Sequence, residues 1–160
     1  MLRIMPDDLY EHDALAWSIQ QATLLRRLAA GERVNDIDWD HVVEEIEDAG
    51  ISELNATRSY LEQLLLHLLK LRGWPDHTAS GHWRNEIVVF QAGVTGRFSP
   101  SMRQRIDLGM VYARARRQAE QLRYDDRPPL TPPPTCPLTL DQLLTASCLE
   151  LEAAFPASGQ

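Results

Sequence analysis

Between Leu54 and Arg72 the chain places Leu54, Leu61, Leu64, Leu65, Leu68 and Leu69 at intervals of three, four and seven. That spacing puts all six on one side of an α-helix, a wide apolar stripe built from strong helix formers. A helix over Ser52 to about Arg72 spans roughly 30 Å, enough to need several neighbours to cover its stripe. The only rival signal is the β-branched run in NEIVVFQAGV. Trp83, Ile87, Phe90 and Val94 nevertheless share one helical face, and no second segment offers itself as a pairing strand. The expectation is all-α: an irregular bundle of five to six helices, with a proline-rich crossover before a short C-terminal helix.

The other helices follow from their stops and caps. A first helix starts near Asp7 or Asp8 after Pro6, carries Tyr10, Ala14, Trp17, Leu24, Leu25 and Leu28, and stops at Gly31. Asp38 caps a second helix that ends at Gly50. Ser52 starts the leucine-rich third helix after a short junction, so the two are expected to turn sharply into a hairpin. A fourth begins at Ser80. Ser99-Pro100 opens a fifth that runs to about Tyr124. Its apolar residues form two faces, Met102, Ile106, Met110 and Ala113 against Leu108, Val111, Ala115, Ala119 and Leu122. DDRPPLTPPPTCP, within a connector over 125–138, is a stiff extended link. Thr139 and Gln142 form a capping-box pattern for the last helix, which bears Leu140, Leu143 and Leu144. One domain over 1–160 is expected, with its core over about 7–150, a tail over 151–160, and fraying after about 155.

At 160 residues such a chain buries roughly 70% of its unfolded surface and needs no metal or disulfide to fold. Cys136 and Cys148 therefore read as reduced thiols of a cytoplasmic protein. MLRIMPDDLY lacks the apolar run of a signal peptide, and no stretch approaches the roughly 20 apolar residues of a membrane span. The net charge of −7 argues against general nucleic-acid binding, but it is unevenly spread. Residues 32–53 hold nine acids against one arginine, and residues 97–127 hold eight arginines against four acids. Two such surfaces are suited to meet each other, within a chain or across a dimer.

HVVEEIEDAG, residues 41–50, gathers four carboxylates and a histidine. At about 100° per residue, Trp39, Val42, Val43, Ile46, Ala49 and Gly50 share one arc, read as the buried face. The carboxylates fan out around the rest and do not converge. Glu44 and Glu47 have the E-x-x-E spacing of magnesium-binding helices, but the complementary partner motif is missing. His67 lies at the margin of the leucine stripe, three residues before Lys70. In a hairpin Glu47 could meet His67 or Lys70, and a contact with His67 would raise the histidine's pKa. Glu44, Glu47 and His67 are thus the candidate catalytic or metal-binding residues. His77 and His82, beside Asp76, lack the spacing of a zinc helix. No nucleophile elbow and no phosphate loop occurs, and no cofactor is expected.

DALAWSIQQATLLRR, DWDHVVEEIEDAG, LEQLLLHLLK, HWRNEIV and CPLTLDQLL follow one another in this order. As a set they resemble the bacterial domain of unknown function 29 family over roughly residues 9–145. GHWRNEIVVFQAG departs from the more polar, arginine-rich helix of that family. The resemblance implies an all-helical cytoplasmic bacterial protein with no assigned activity and no catalytic residues to carry over. Glu44, Glu47, His67 and Trp83 match the family's motif positions. The expected function is a protein-interaction module, a homodimer through Leu108, Val111 and Leu122 with Arg103, Arg105, Arg114, Arg116 and Arg123 around them. A metal-dependent hydrolase using Glu44, Glu47 and His67 is the first alternative, and weak nucleic-acid binding through the same arginines the second.

Overall fold

The computed structural model describes residues 6–155, with side chains from Leu9 onward. Among them are seven α-helices and no strand: α1 (Pro6–His12), α2 (Ala14–Ala29), α3 (Trp39–Gly73), α4 (Ser80–Arg97), α5 (Leu108–Gln121), α6 (Leu140–Thr145) and α7 (Cys148–Ala153). No helix among these residues is long and apolar enough to cross a membrane. The chain divides into two compact units, one up to Ile51 and one from Ser52 onward.

In the first unit the expected single helix is broken at Asp13. Its backbone leaves helical geometry (φ −151°, ψ 77°), and its side chain accepts the Ala16 N–H. A residue that can hydrogen-bond the backbone outside a helix competes with continuing through it, and here the cap wins. Gly31 stops the chain as expected, at φ +87°. The small core holds Trp17, Ile37 and Val42, with Leu9, Tyr10, Leu24, Leu25 and Val34 packed against it.

The largest correction concerns α3, which runs unbroken for 35 residues from Trp39 to Gly73. Gly50 was expected to end a helix and lies in the interior of one. Isolated glycine weakens a helix by about 1 kcal/mol, a penalty that the strong formers on both sides easily outweigh.

In the second unit the leucine stripe behaves as its spacing demands. Leu61, Leu64, Leu65, Leu68 and Leu69 are buried, in one core with Trp83, Ile87 and Val94 of α4, Val111, Ala115 and Ala119 of α5, and Leu143 and Leu151 of the last two helices. The helical reading of NEIVVFQAGV holds, although α4 begins after Ala79 with no side-chain cap from Ser80. The fifth helix is shorter than expected. Pro100–Met102 is a single 3₁₀ turn, and Asp107 caps a new start by accepting the Met110 N–H. The proline-rich connector is tied down along its length. The Leu130 N–H donates to the Gly73 carbonyl at 3.0 Å, Arg72 to the Thr131 carbonyl, and the Tyr112 hydroxyl to the Pro133 carbonyl at 2.7 Å.

Thr139 and Gln142 form the expected capping box on α6. A second one, Ser147 with Glu150, opens α7. Leu151 of that helix and Phe155 just beyond it are buried in the core, so packing continues past 150, where a tail was expected. Fraying beyond 155 falls outside the described residues.

An alanine Cβ at Gly50 would meet no atom within 4 Å. Gly50→Ala is therefore expected to stabilise the protein by about 0.5–1 kcal/mol in urea unfolding; a loss of stability would mean that the backbone there requires glycine.

Candidate functional site

Asp38 does more than begin α3. One of its carboxylate oxygens, Oδ2, accepts from the Trp17 indole at 2.9 Å and from His41 Nδ1 at 2.7 Å. The other, Oδ1, faces the His41 backbone N–H at 3.4 Å. The Asp38 backbone N–H donates to Gln21 Oε1 at 2.9 Å, so a carboxylate is fixed from three directions. Burial pushes the Asp38 carboxyl up, but the bonds from His41 and Trp17 more than offset this and hold it below its ordinary value. Tyr10 stacks on His41 with ring centroids 3.9 Å apart and meets Trp17 edge-on at 4.9 Å. Its hydroxyl donates to Glu45 at 2.7 Å. That bond, before burial and the nearby acids, pushes the Tyr10 hydroxyl up to about 12. Gln21 is buried, and its Nε2 has no hydrogen-bond partner among the described residues. Of the acidic stretch, then, the structure engages His41 and Glu45.

Glu47 and His67 do not form the expected pair. They are 20 residues apart on one continuous helix, roughly 30 Å along its axis. His67 instead donates from Nδ1 to the Gln63 carbonyl at 2.8 Å. A carbonyl can only accept, so Nδ1 carries the proton and Nε2 is left to accept. Lys70 Nζ donates to it at 3.3 Å, and the ring of Phe90 lies 5.1 Å away. The expected rise in the His67 pKa is reversed. Burial lowers it, Lys70 lowers it further, and the Gln63 bond and Glu86 recover only part.

No group of three or more His, Cys, Asp or Glu able to hold a metal occurs among the described residues; Glu44, Glu47 and His67 are not brought together. His77 and His82 also stay apart in role. His77 accepts the Ala79 N–H at 3.0 Å, stacks on Trp83 at 5.1 Å and faces Asp125 at 3.5 Å, while His82 is exposed. Trp83 itself is buried in this aromatic cluster. Cys136 and Cys148 are free thiols, both pushed up by burial.

The fifth helix needs a second correction. Its expected docking face is turned inward: Val111 is buried, and Leu108 and Leu122 pack against the same core. Met102 and Ile106, expected to share the opposite face with Met110, precede the helix and are buried in that core as well. Among the arginines, Arg103 pairs with Asp141 at 2.7 Å and Arg116 with Glu120 at 2.8 Å. Arg123 donates to the helix-end carbonyls of Glu120 and Leu122. No ion pair occurs for Arg105 or Arg114 among the described residues. α5 leaves Gly109, Met110, Ala113, Arg114, Arg117, Glu120 and Gln121 exposed, and of these Met110, Ala113, Arg114 and Arg117 form one strip at i, i+3, i+4 and i+7.

The sequence reading missed an exposed apolar stripe. Trp39, Val43 and Ile46, assigned to a buried face, keep 54%, 50% and 69% of their surface in solvent; Val42 alone of that arc is buried. The stripe is flanked by Asp40, Glu44 and Glu47.

A family model described as "Domain of unknown function DUF29" matches residues 9–149. This chain belongs to the DUF29 family. The DUF29 chain is also similar to a solved structure, an alpha-helical protein of unknown function from Rhodospirillum rubrum. The two are 30% identical, with a TM-score of 0.69 over 90% of this chain and 95% of that one. No curated protein matches. Neither likeness attaches a reaction or ligand to the DUF29 fold, so its chemistry has to be read from the side chains.

His67 gives that chemistry a pH signature. Its folded pKa lies below the ordinary imidazole value of 6.5, so below that value the unfolded chain binds a proton that the folded chain resists. The stabilising contribution is present above 6.5 and is lost as pH falls through the folded value. The melting temperature is expected to drop on acidification below 6.5, and to drop less in His67→Gln; parallel curves for the two proteins would rule out His67 as the titrating group.

Proposed function

We propose that this protein is an interaction module that assembles with a second copy of itself, the acidic apolar stripe of α3 in one copy lying on the basic outer strip of α5 in the other. The observation that carries the reading is the exposure of Trp39, Val43 and Ile46. An apolar group of this kind on a soluble protein is characteristic of an interaction surface. Its placement strengthens the case. Trp39, Val43, Ile46 and Gly50 each precede Thr57, Leu61, Leu64 and Leu68 by about five full helical turns. The stripe therefore continues along α3 the side that is buried further on, where among the described residues it stays exposed.

Charge selects the occupant. Asp40, Glu44 and Glu47 beside the stripe disfavour a partner helix of the same kind and favour a cationic one with some apolar surface. Met110, Ala113, Arg114 and Arg117 form a strip of that kind. Apolar contact supplies most of the binding, about 1–2 kcal/mol for each half-exposed side chain covered. Complementary charge sets orientation and rate.

Size-exclusion chromatography with light scattering at tens of micromolar is expected to give a dimer. Ile46→Glu should convert it to monomer, and Arg114→Glu should weaken it. Salt at about 1 M, where charges are screened beyond roughly 3 Å, should weaken it less than Ile46→Glu does. A wild-type monomer under these conditions disposes of the reading.

A further inference from the structure

Of the 16 lysine and arginine residues in the chain, one is a lysine. It is Lys70, and its surroundings differ from those of the arginines. It sits half-buried near the end of α3, with Nζ 3.3 Å from His67 Nε2. His67 Nδ1 is committed to the Gln63 carbonyl, so the nitrogen turned toward Lys70 is the one that can take a proton. Arginine remains charged in any protein environment. Lysine can lose its proton where water is withdrawn, and then becomes a nucleophile.

We propose that Lys70 is an acyl-acceptor site, at which the amine takes an acyl group from a small activated donor of the acyl-phosphate class and His67 serves as the base. The charged groups around the pair act in the same sense, with one exception. Burial pushes Lys70 down from its ordinary value, and Glu86 on α4 partly restores it. Burial, Lys70 and His82 all lower His67, against Gln63 and Glu86. The neutral Nζ lone pair attacks the carbonyl carbon of the donor and a C–N bond forms. The bond from that carbon to the phosphate oxygen breaks, and its electron pair leaves with the phosphate. The proton released from Nζ passes to His67 Nε2 and on to water or the departing phosphate. The amide formed keeps one N–H for His67 Nε2 and no longer carries the charge that burial disfavours. Partial exposure of Lys70 lets a small donor approach from solvent.

A single lysine makes the test direct. The full chain is incubated with acetyl phosphate near neutral pH, and acetylation is followed by mass spectrometry, with peptide mapping to separate Lys70 from the N-terminal amine. The reference is the lysine introduced by Arg33→Lys at an exposed position. Lys70 is expected to react faster than this reference on the order of tenfold, well below what a positioned base contributes in an enzyme. Its rate should also level off at a lower pH. His67→Gln should bring Lys70 down to the reference rate while the lysine from Arg33→Lys, in the same chain, reacts as before. Equal rates and equal pH profiles for the two lysines in the His67 protein would overturn the proposal, whatever the fate of the His67→Gln variant.

Discussion

The second unit depends on the burial of one face of α3. Leu61, Leu64 and Leu65 are wholly enclosed, and α4, α5, the connector and both C-terminal helices each contribute side chains to the cluster around them. Close packing makes such positions sensitive: removing a buried leucine side chain from a core of this kind costs about 2–5 kcal/mol. The polar ties follow from the same burial. Once the α3 end and the connector are brought together, their backbone groups need partners, and Gly73 with Leu130 and Arg72 with Thr131 supply them. Thr57 and His67 are the buried polar residues of this half of α3 among the described residues. The Thr57 hydroxyl donates to the Glu53 carbonyl at 2.9 Å, and His67 enters with both ring nitrogens satisfied.

Those features were legible in the sequence to the extent that they are local and periodic. The leucine spacing, the Trp83–Val94 face and the Thr139–Gln142 box each specify their structure within one or two helical turns, and each appears as expected. The failures share a cause. Gly50, Asp13 and Asp107 are all residues whose helix-breaking tendency is a small free energy that longer-range context can confirm or overrule. At Asp13 and Asp107 a side-chain cap tipped the balance toward a break. At Gly50 the flanking helix formers tipped it the other way, and with the hairpin went the meeting of Glu47 and His67.

The candidate sites were legible in a different way. That Glu44, Glu45, Glu47 and Asp48 fan out and do not converge followed from helical geometry alone. The fixing of Asp38 by Trp17 and Gln21 did not, because these lie 21 and 17 residues away in sequence and meet it through contacts that no periodicity encodes; only the contact to His41, three residues on, is local. The exposed stripe at Trp39, Val43 and Ile46 was misread for a related reason. Apolar spacing marks one face of a helix, but whether the same chain packs over that face depends on tertiary contacts that the spacing does not encode. The pairing of Lys70 with His67 was visible as an i, i+3 spacing. What the structure adds is the tautomer, the burial and the loss of the carboxylate partner first sought for it.

A single helix with one half sealed in a core and the other half largely bare is mechanically uneven. Backbone hydrogen bonds in an α-helix are local, so its N-terminal turns can open without disturbing those beyond Leu54. Val42 is the one residue of Trp39–Ile51 held in a core there, whereas nearly every turn from Leu54 to Gly73 is anchored. Local opening follows such differences in burial, so amide protection should rise along α3 as it passes from Trp39 toward Leu61. The acidic half is then the adaptable part of the helix: what it can disturb is the small core it shares with Trp17 and Ile37, while the leucine half is held by its own cluster.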